Sequence, residues 1–349
     1  MIRMFERIAL LTAGGLVSGM VAAAILYPPE QTTARPTAVL AQPKSTGVAS
    51  RAPVAVTVAA VPKQRFLPIK ARGSETLLSE VSVRKLDAHD PVPDNSAENL
   101  ARTFSEMGYD LDSVRSGDQQ VPRVFLASIP YDLAELRQVQ RKKSLFFKTV
   151  LPLILQVNEE IRQDRARLWK LQTRLNKGEK LAARDRLWLI VMAERYKVKR
   201  GNIPELIKRA DIIPVSLALA QAAEESGWGT SRFAREANAM FGQWTTADGV
   251  GLVPKNRDDG KTHKIRSFKS LLHSARAYAR NLNTHRAYRK MRIMRQQLRQ
   301  QGVPIQGHHL VETLTSYSER GEDYVKGLRA IIAVNKLRHL DRAELNNGA

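Results

Sequence analysis

Two adjacent carboxylates, Glu224 and Glu225, close the run Pro214-Val215-Ser216-Leu217-Ala218-Leu219-Ala220-Gln221-Ala222-Ala223 and stand just before Ser226-Gly227-Trp228-Gly229. The run reads as a short helix. Pro214 suits its first turn, because the N–H that proline lacks is an orphan there anyway. Its small apolar residues suit a helix that sits deep between larger ones. Gly227 falls where a left-handed residue ends a helix. Glu225 is then held at the negative end of the helix dipole, beside the aromatic Trp228. Both neighbours disfavour the ionised form, so its pKa should rise. A glutamic acid still protonated near neutrality can protonate the leaving oxygen of a glycosidic bond. By composition and spacing alone, a glutamate that merely decorates a frayed helix end is the commoner case and the favoured reading.

The wording of the stretch resolves that choice by resemblance. Ala220 to Gly229 closely resembles the signature of the glucosaminidases of glycoside hydrolase family 73, with Glu224 standing where the family usually has an apolar residue. The resemblance assigns the catalytic acid to the glutamate before Ser-Gly-Trp-Gly, here Glu225, and adjacent Glu224 should raise its pKa further. About a dozen residues on, Asn238-Ala239-Met240-Phe241-Gly242-Gln243-Trp244 resembles the Asn-x-x-Phe-Gly element of the same family. Tyr317-Ser318-Glu319-Arg320-Gly321-Glu322-Asp323-Tyr324 resembles its Tyr-Ala-Thr-Asp-Pro-x-Tyr element, one residue longer and with Gly321 near the usual proline. Candidate substrate contacts are therefore Trp228, Asn238, Phe241, Gln243, Trp244, Tyr317 and Tyr324, with Phe241 and Trp244 offering flat faces to sugar rings. Tyr324 is the one among them that reads most readily as a core tyrosine. For a second catalytic group the resemblance points only to the hairpin region. Asp258 and Asp259 there are explained by turn chemistry, which leaves Asp248 as the candidate.

The elements around these motifs follow from periodicity. Ser96 to Met107 reads as an amphipathic helix ending at Gly108. Val124 to Leu126 reads as extended, between Pro122 and Pro130. From a cap at Ser144, apolar residues from Phe147 to Leu175 recur at helical spacing, with Pro152 a kink or boundary. Trp169 and Trp188 read as helix packing. Arg162, Arg165, Arg167 and Arg174 read as a solvated face, since no aromatic residues interleave for base stacking. Arg184 to Tyr196 is another helix. Gly249–Val253 and Thr262–Phe268 read as paired strands. Three helices follow, around Leu271–Leu282, from a cap at Thr284 through Leu298, and from Glu322 to Leu337.

Composition bounds the setting. The 349 residues carry 56 Lys and Arg against 34 Asp and Glu, a net charge of +22, which calls for an anionic partner or surface. There is no cysteine, and the seven histidines show no metal-ligand spacing, so neither a metal nor another cofactor is expected. Arg3 and Arg7 precede an uncharged run from Ile8 to Tyr27, long enough to cross a bilayer and ended by Pro28-Pro29. The basic flank puts residues 1–7 in the cytoplasm and the rest outside. An uncleaved anchor is favoured over a signal peptide cut near Ala22-Ala23-Ala24, because the apolar run continues past that site.

The expected organisation is an inner-membrane, single-pass protein with its catalytic domain in the periplasm. Residues 1–7 form a stub, 8–27 the transmembrane helix, 28–73 a disordered Pro- and Ala-rich linker and 74–141 a region without evident chemistry. Helices at 142–200 should pack on a glucosaminidase domain at 201–340. The fold class that the resemblance implies is mainly α, a lysozyme-like helical domain with a small β-hairpin lobe. Less specifically, the helices from about Val121 onward resemble the envelope glucosaminidases of the Bax type. The implied partner is the peptidoglycan glycan strand, not nucleic acid, and the implied reaction is hydrolysis of β-1,4 bonds after N-acetylglucosamine. A lytic transglycosylase on the same fold and a non-catalytic wall-binding scaffold are the rivals. The first typically shows Gly-Leu-Met-Gln where this chain has Phe241-Gly242-Gln243-Trp244, and intact Glu225-Ser226-Gly227-Trp228 counts against the second.

Overall fold

The helix bearing Glu225 is the axis on which the other elements are laid. The computed structural model describes residues 95–245, 251–253, 264–318 and 320–347, with the side chains of 244 and 245 left aside. The stub, anchor and linker expected over residues 1–73, the stretch 74–94, and Asp248, Asp258 and Asp259 lie outside the described residues. Within these bounds the protein is mainly helical. Helices α1 (Ala97–Glu106) and α2 (Leu111–Ser116) lead to the long α3 (Val139–Asn176), then α4 (Ala183–Arg195), α5 (Ile203–Arg209), α6 (Val215–Ser226) and α7 (Arg232–Ala237). Strands β1 (Trp244–Thr245) and β2 (Lys264–Ile265) follow, then α8 (Leu271–Thr284), α9 (Arg289–Gln300), α10 (Gly307–Leu310) and α11 (Glu322–Val334). Among the described residues no helix is long and apolar enough to cross a membrane.

Helix α6 is buried almost all round, from Val215 to Ala223, because its alanines and short chains let neighbours approach closely. It packs on α3, α10, α11 and the final turn Leu337–Arg342. Both its approaches are pinned. Asn158 of α3 donates to the Ile213 carbonyl at 2.8 Å and accepts from the Ile213 N–H at 3.0 Å. At the start of α6, the Asp341 carboxylate accepts from the Ser216 N–H at 2.8 Å and from the Ser216 hydroxyl at 2.7 Å. A carboxylate there satisfies orphan donors and suits the positive end of the dipole. Gly307 accompanies it because a Cβ would lie 2.2 Å from Ser216 Oγ and 2.7 Å from the Leu217 nitrogen.

Several elements depart from the sequence expectation. Helix α3 begins at Val139, ahead of the expected Ser144 cap, and runs through Pro152 without ending there. Its first half joins the main core; farther along, Leu168 packs with α4 and α5 in a smaller cluster with Met192, Tyr196 and Leu206. Trp169 is 52% exposed, so it does not pack between helices as expected, whereas Trp188 lies under the Arg167 guanidinium at 4.3 Å. The arginine face of α3 is not simply solvated: Arg167 and Arg174 pair with Asp185, and Arg165 with Asp211. The strand pair also shifts. Lys264–Ile265 falls inside its expected span, but its partner in the two-stranded sheet is Trp244–Thr245, antiparallel, while Leu252 adds a single bridge to Ile265. Val124 to Leu126 forms no strand; the nearby pairing is a parallel bridge from Val121 to Leu345.

Candidate active site

Three consecutive left-handed residues turn the chain at the end of α6: Gly227 at φ +56°, Trp228 at +61° and Gly229 at +79°. A tryptophan there costs roughly 1–2 kcal/mol relative to the right-handed region. Two contacts hold it. The Ser226 hydroxyl donates to the Ala222 carbonyl at 2.6 Å and accepts from the Gly229 N–H at 2.8 Å. The Trp228 ring meets Phe146 and Phe147 of α3 edge-on, at 5.8 and 5.4 Å between centroids, with the Lys143 ammonium 4.6 Å from its centre. A Cβ at Gly229 would press on Leu133 at 3.1 Å and Phe146 at 3.2 Å. Much of Ser-Gly-Trp-Gly is thus a folding device that anchors the end of α6.

The device leaves Glu225 half-buried, with its carboxyl against α11. The Tyr324 hydroxyl donates to Glu225 Oε1 at 2.8 Å. Burial pushes the Glu225 carboxyl up to about 7; the Tyr324 bond pulls it down, Glu224 raises it and Arg320 lowers it. The sequence expectation of a raised value holds, but the cause differs. Burial leads, while the Trp228 ring is engaged with α3. The neighbouring Glu224 is bound by the Arg320 guanidinium, which also lies 5.5 Å from the centre of the Tyr324 ring. One of the two adjacent acids is therefore ion-paired, and the other faces a phenol.

Behind them lies a chain of buried polar groups. Gln221 Nε2 donates to the Tyr324 oxygen at 3.0 Å, and the Tyr278 hydroxyl donates to Gln221 Oε1 at 2.7 Å. In front, Gly242 (φ +58°) brings its backbone so close that a Cβ would sit 3.1 Å from Glu225 Oε2. The requirement for glycine is double here, in dihedral and in space.

The remaining predicted site residues fall at different depths. Phe241 is a correction: it is 3% exposed and its ring is stacked on Tyr278 at 3.9 Å, so it is core and presents no face to a sugar. Tyr324 is buried too and acts on Glu225 rather than lying open to a substrate. Tyr317 is half-buried, its ring parallel to Tyr324 at 5.4 Å and its hydroxyl 3.5 Å from the Phe241 carbonyl oxygen. Asn238, left-handed at φ +53°, ends α7 and donates to the Phe268 carbonyl at 3.1 Å, the work of a cap and tie. Gln243 is half-buried, and its carbonyl accepts from the Arg266 N–H at 2.8 Å. The backbone of Trp244 pairs with Ile265. The structure thus brings Tyr317, Tyr324, Phe241 and the backbone of Gly242 to Glu225 or its direct neighbours.

Sequence reasoning missed Gln221, Tyr278 and Arg320. Gln221 had a signal, since it lies four residues before Glu225 and so on the same helix face. Tyr278, 57 residues from Gln221, had none.

The family model described as mannosyl-glycoprotein endo-beta-N-acetylglucosaminidase matches residues 202–337. Protein bax of Escherichia coli (strain K12) is 36% identical over 216 residues, covering 60% of this chain and 75% of that protein. This chain belongs to the Bax-type glucosaminidase family. As a member it carries a glycoside-hydrolase-like domain with a glycan as its substrate class, and the matched span runs from α5 through α11, enclosing Glu225, Tyr278, Arg320 and Tyr324, while the α3 residues against Trp228 lie before it. No solved structure matches this glucosaminidase chain.

Proposed function

We propose that this glucosaminidase is a peptidoglycan hydrolase, built on a lysozyme-like helical frame, that cuts β-1,4 bonds after N-acetylglucosamine with Glu225 as general acid. One observation carries the reading: a carboxyl with a pKa near 7, held by Tyr324 and lying against Gly242. About half of such groups still carry their proton at neutral pH, which suits a general acid working there. The proton passes to the glycosidic oxygen as the bond to the anomeric carbon breaks, and Tyr324 supports the carboxylate left behind. The opposite face of the sugar needs a carboxylate that activates water or attacks, or the substrate's own 2-acetamido group. Asp248 is the proposed carboxylate, roughly 6.5–9.5 Å from Glu225 if it acts as a base in an inverting reaction. Gln243, Trp244 and Tyr317 are proposed to line the sugar path.

A lytic transglycosylase reading keeps one supporting observation. The other carboxylate described beside Glu225 is Glu224, and Arg320 holds it. A site with one free acid is what that reaction uses. Digestion of purified sacculi with the soluble part, followed by identification of product ends, separates the readings. Reducing N-acetylglucosamine ends are expected. 1,6-anhydro-muramic ends support the transglycosylase, and an absence of products supports the scaffold. An active Asp248→Asn variant would remove Asp248 from the reaction.

The charge of +22 and the apolar run 8–27 support a setting at the inner membrane, with the domain in the periplasm against an anionic wall. Carbonate extraction of membranes tests it, and full-length protein released into the supernatant would overturn the anchor.

A further inference from the structure

The buried chain behind Glu225 is longer than proton donation alone requires. Tyr278, Gln221 and Tyr324 are all essentially inaccessible, Gln221 at 0% exposure. Stacking fixes both rings: Tyr278 lies on Phe241 with planes 11° apart, and Tyr324 on Tyr317 with planes 2° apart. Rotation of either phenol out of line is therefore blocked by packing.

Such a chain has a direction. A hydroxyl both donates and accepts, whereas an amide has one end of each kind. In the observed order the Tyr278 hydroxyl donates to Gln221 Oε1, Gln221 Nε2 donates to Tyr324, and the Tyr324 proton goes to Glu225 Oε1. In the reverse order the Gln221 amide turns over, Tyr324 gives its proton to Gln221, and only a lone pair faces Glu225. The reverse order strands the Tyr278 proton, because Gln221 is its one hydrogen-bond partner among the described residues. A buried donor without an acceptor is strongly disfavoured. Tyr278, two residues removed from the acid, thereby sets the polarity of the whole chain.

We infer that Tyr278 and Gln221 are positioning residues that keep the Tyr324 proton on Glu225 Oε1 and so confine the transferable acid proton to Oε2, the oxygen beside Gly242. This rests on reading Glu225 as the acid. With Oε1 already accepting the Tyr324 proton, it is the less basic of the two oxygens, so the carboxyl proton favours Oε2. That oxygen faces the backbone of Gly242, where a Cβ would crowd it at 3.1 Å. After transfer, Oε1 retains its donor and the new carboxylate is stabilised where it forms. The other groups facing Glu225 are Glu224 on its own helix, Arg320 ahead of α11, and the phenols Tyr278, Tyr317 and Tyr324. Burial holds all three phenols well above their ordinary values, so they stay neutral donors throughout the working range.

Carbon-13 NMR of labelled glutamate carboxyls tests this directly, with the Glu225 signal assigned by its disappearance in Glu225→Gln. The readout does not depend on whether the protein cleaves a glycan. Tyr278→Phe keeps the stack on Phe241 and removes only the hydroxyl, so Gln221 is free to turn over. Glu225 should then titrate roughly 0.5–1 unit higher, because its ionised form loses a donor for part of the time. Gln221→Met should leave the midpoint near wild type, because methionine offers the Tyr324 proton no rival acceptor, and it gives a second reading if Tyr278→Phe does not fold. In the cleaving enzyme, the alkaline limb of the kcat profile should move upward with the NMR midpoint while KM changes little. A folded Tyr278→Phe variant with an unmoved Glu225 midpoint, or a folded Gln221→Met variant with a raised one, overturns the inference, whatever its melting temperature. A midpoint raised by Tyr278→Phe in a protein that cleaves no glycan would instead sink the hydrolase reading and leave the positioning role standing.

Discussion

Asp211 and Glu225 stand near the two ends of helix α6, both pressed into the protein, and they titrate in opposite directions. Asp211 is 2% exposed, and its burial alone would raise its pKa. Three guanidiniums overturn that. Arg299 grips it with both prongs, Nε to Oδ2 at 2.8 Å and Nη2 to Oδ1 at 2.7 Å, while Arg165 and Arg295 approach at 3.6 and 3.8 Å. The net result is a carboxyl held below its ordinary value. Arg295 is itself fully buried and spends its donors on the Asp211 and Ile212 carbonyls and on Asn283 Oδ1. Glu225 has burial of the same sign, opposed by a phenol and by Arg320, a guanidinium already paired with Glu224, so it rises to about 7. Burial therefore does not decide which acid is held ionised and which is held protonated; the partner does.

The comparison breaks most visibly at Glu225. Glu225→Gln keeps the shape and removes the acid, so turnover on sacculi should fall by about 10³-fold or more, about 4 kcal/mol, with an unchanged circular dichroism spectrum. Wild-type turnover in Glu225→Gln alongside a dead Glu224→Gln would move the assignment by one residue. At the other end, Asp211→Asn should leave the chemistry alone and damage the fold. Three guanidiniums would remain around a neutral amide, at a cost of about 3–5 kcal/mol in urea denaturation. A loss under about 1 kcal/mol would mean that the arginines find enough partners among the carbonyls.

The smallest effect is the sharpest test of sign. Glu225 has a folded pKa above its ordinary 4.5, so its contribution is fully present at pH 4 and is lost as pH rises through about 7. After discounting for its partial exposure, the loss is about 2 kcal/mol by pH 8. Glu225→Gln should accordingly match wild type in stability at pH 4 and exceed it at pH 8. Asp211 runs the other way: its contribution is present above the ordinary carboxylate value and is lost as pH falls through its depressed folded value. The Asp211→Asn deficit should thus shrink in acid. Paired melts of both variants at pH 3, 4 and 8 check this, and parallel pH dependences would remove the contrast.

Local sequence determined a good deal of this protein. The run of small residues ended by Gly227 made α6 and put Glu225 on its last turn, because helix propensity, capping and left-handed freedom act within a few residues. Ser96 and Asp110 capped α1 and α2 for the same reason. The motif wording named the family. Tertiary structure alone decided the rest. Phe241 and Trp228 look alike as aromatic candidates, but one is sealed by Tyr278 from α8 and the other is clasped by α3, contacts that no spacing encodes. Pro152 sits inside a helix that continues through it, held by packing on both sides. The separation of Glu224 from Glu225 needed Arg320, 96 residues away, and the orientation of the acid needed Tyr324 and, through Gln221, Tyr278. Desolvation and hydrogen-bond polarity are properties of an enclosure, and these side chains enclose Glu225 only once distant helices have packed.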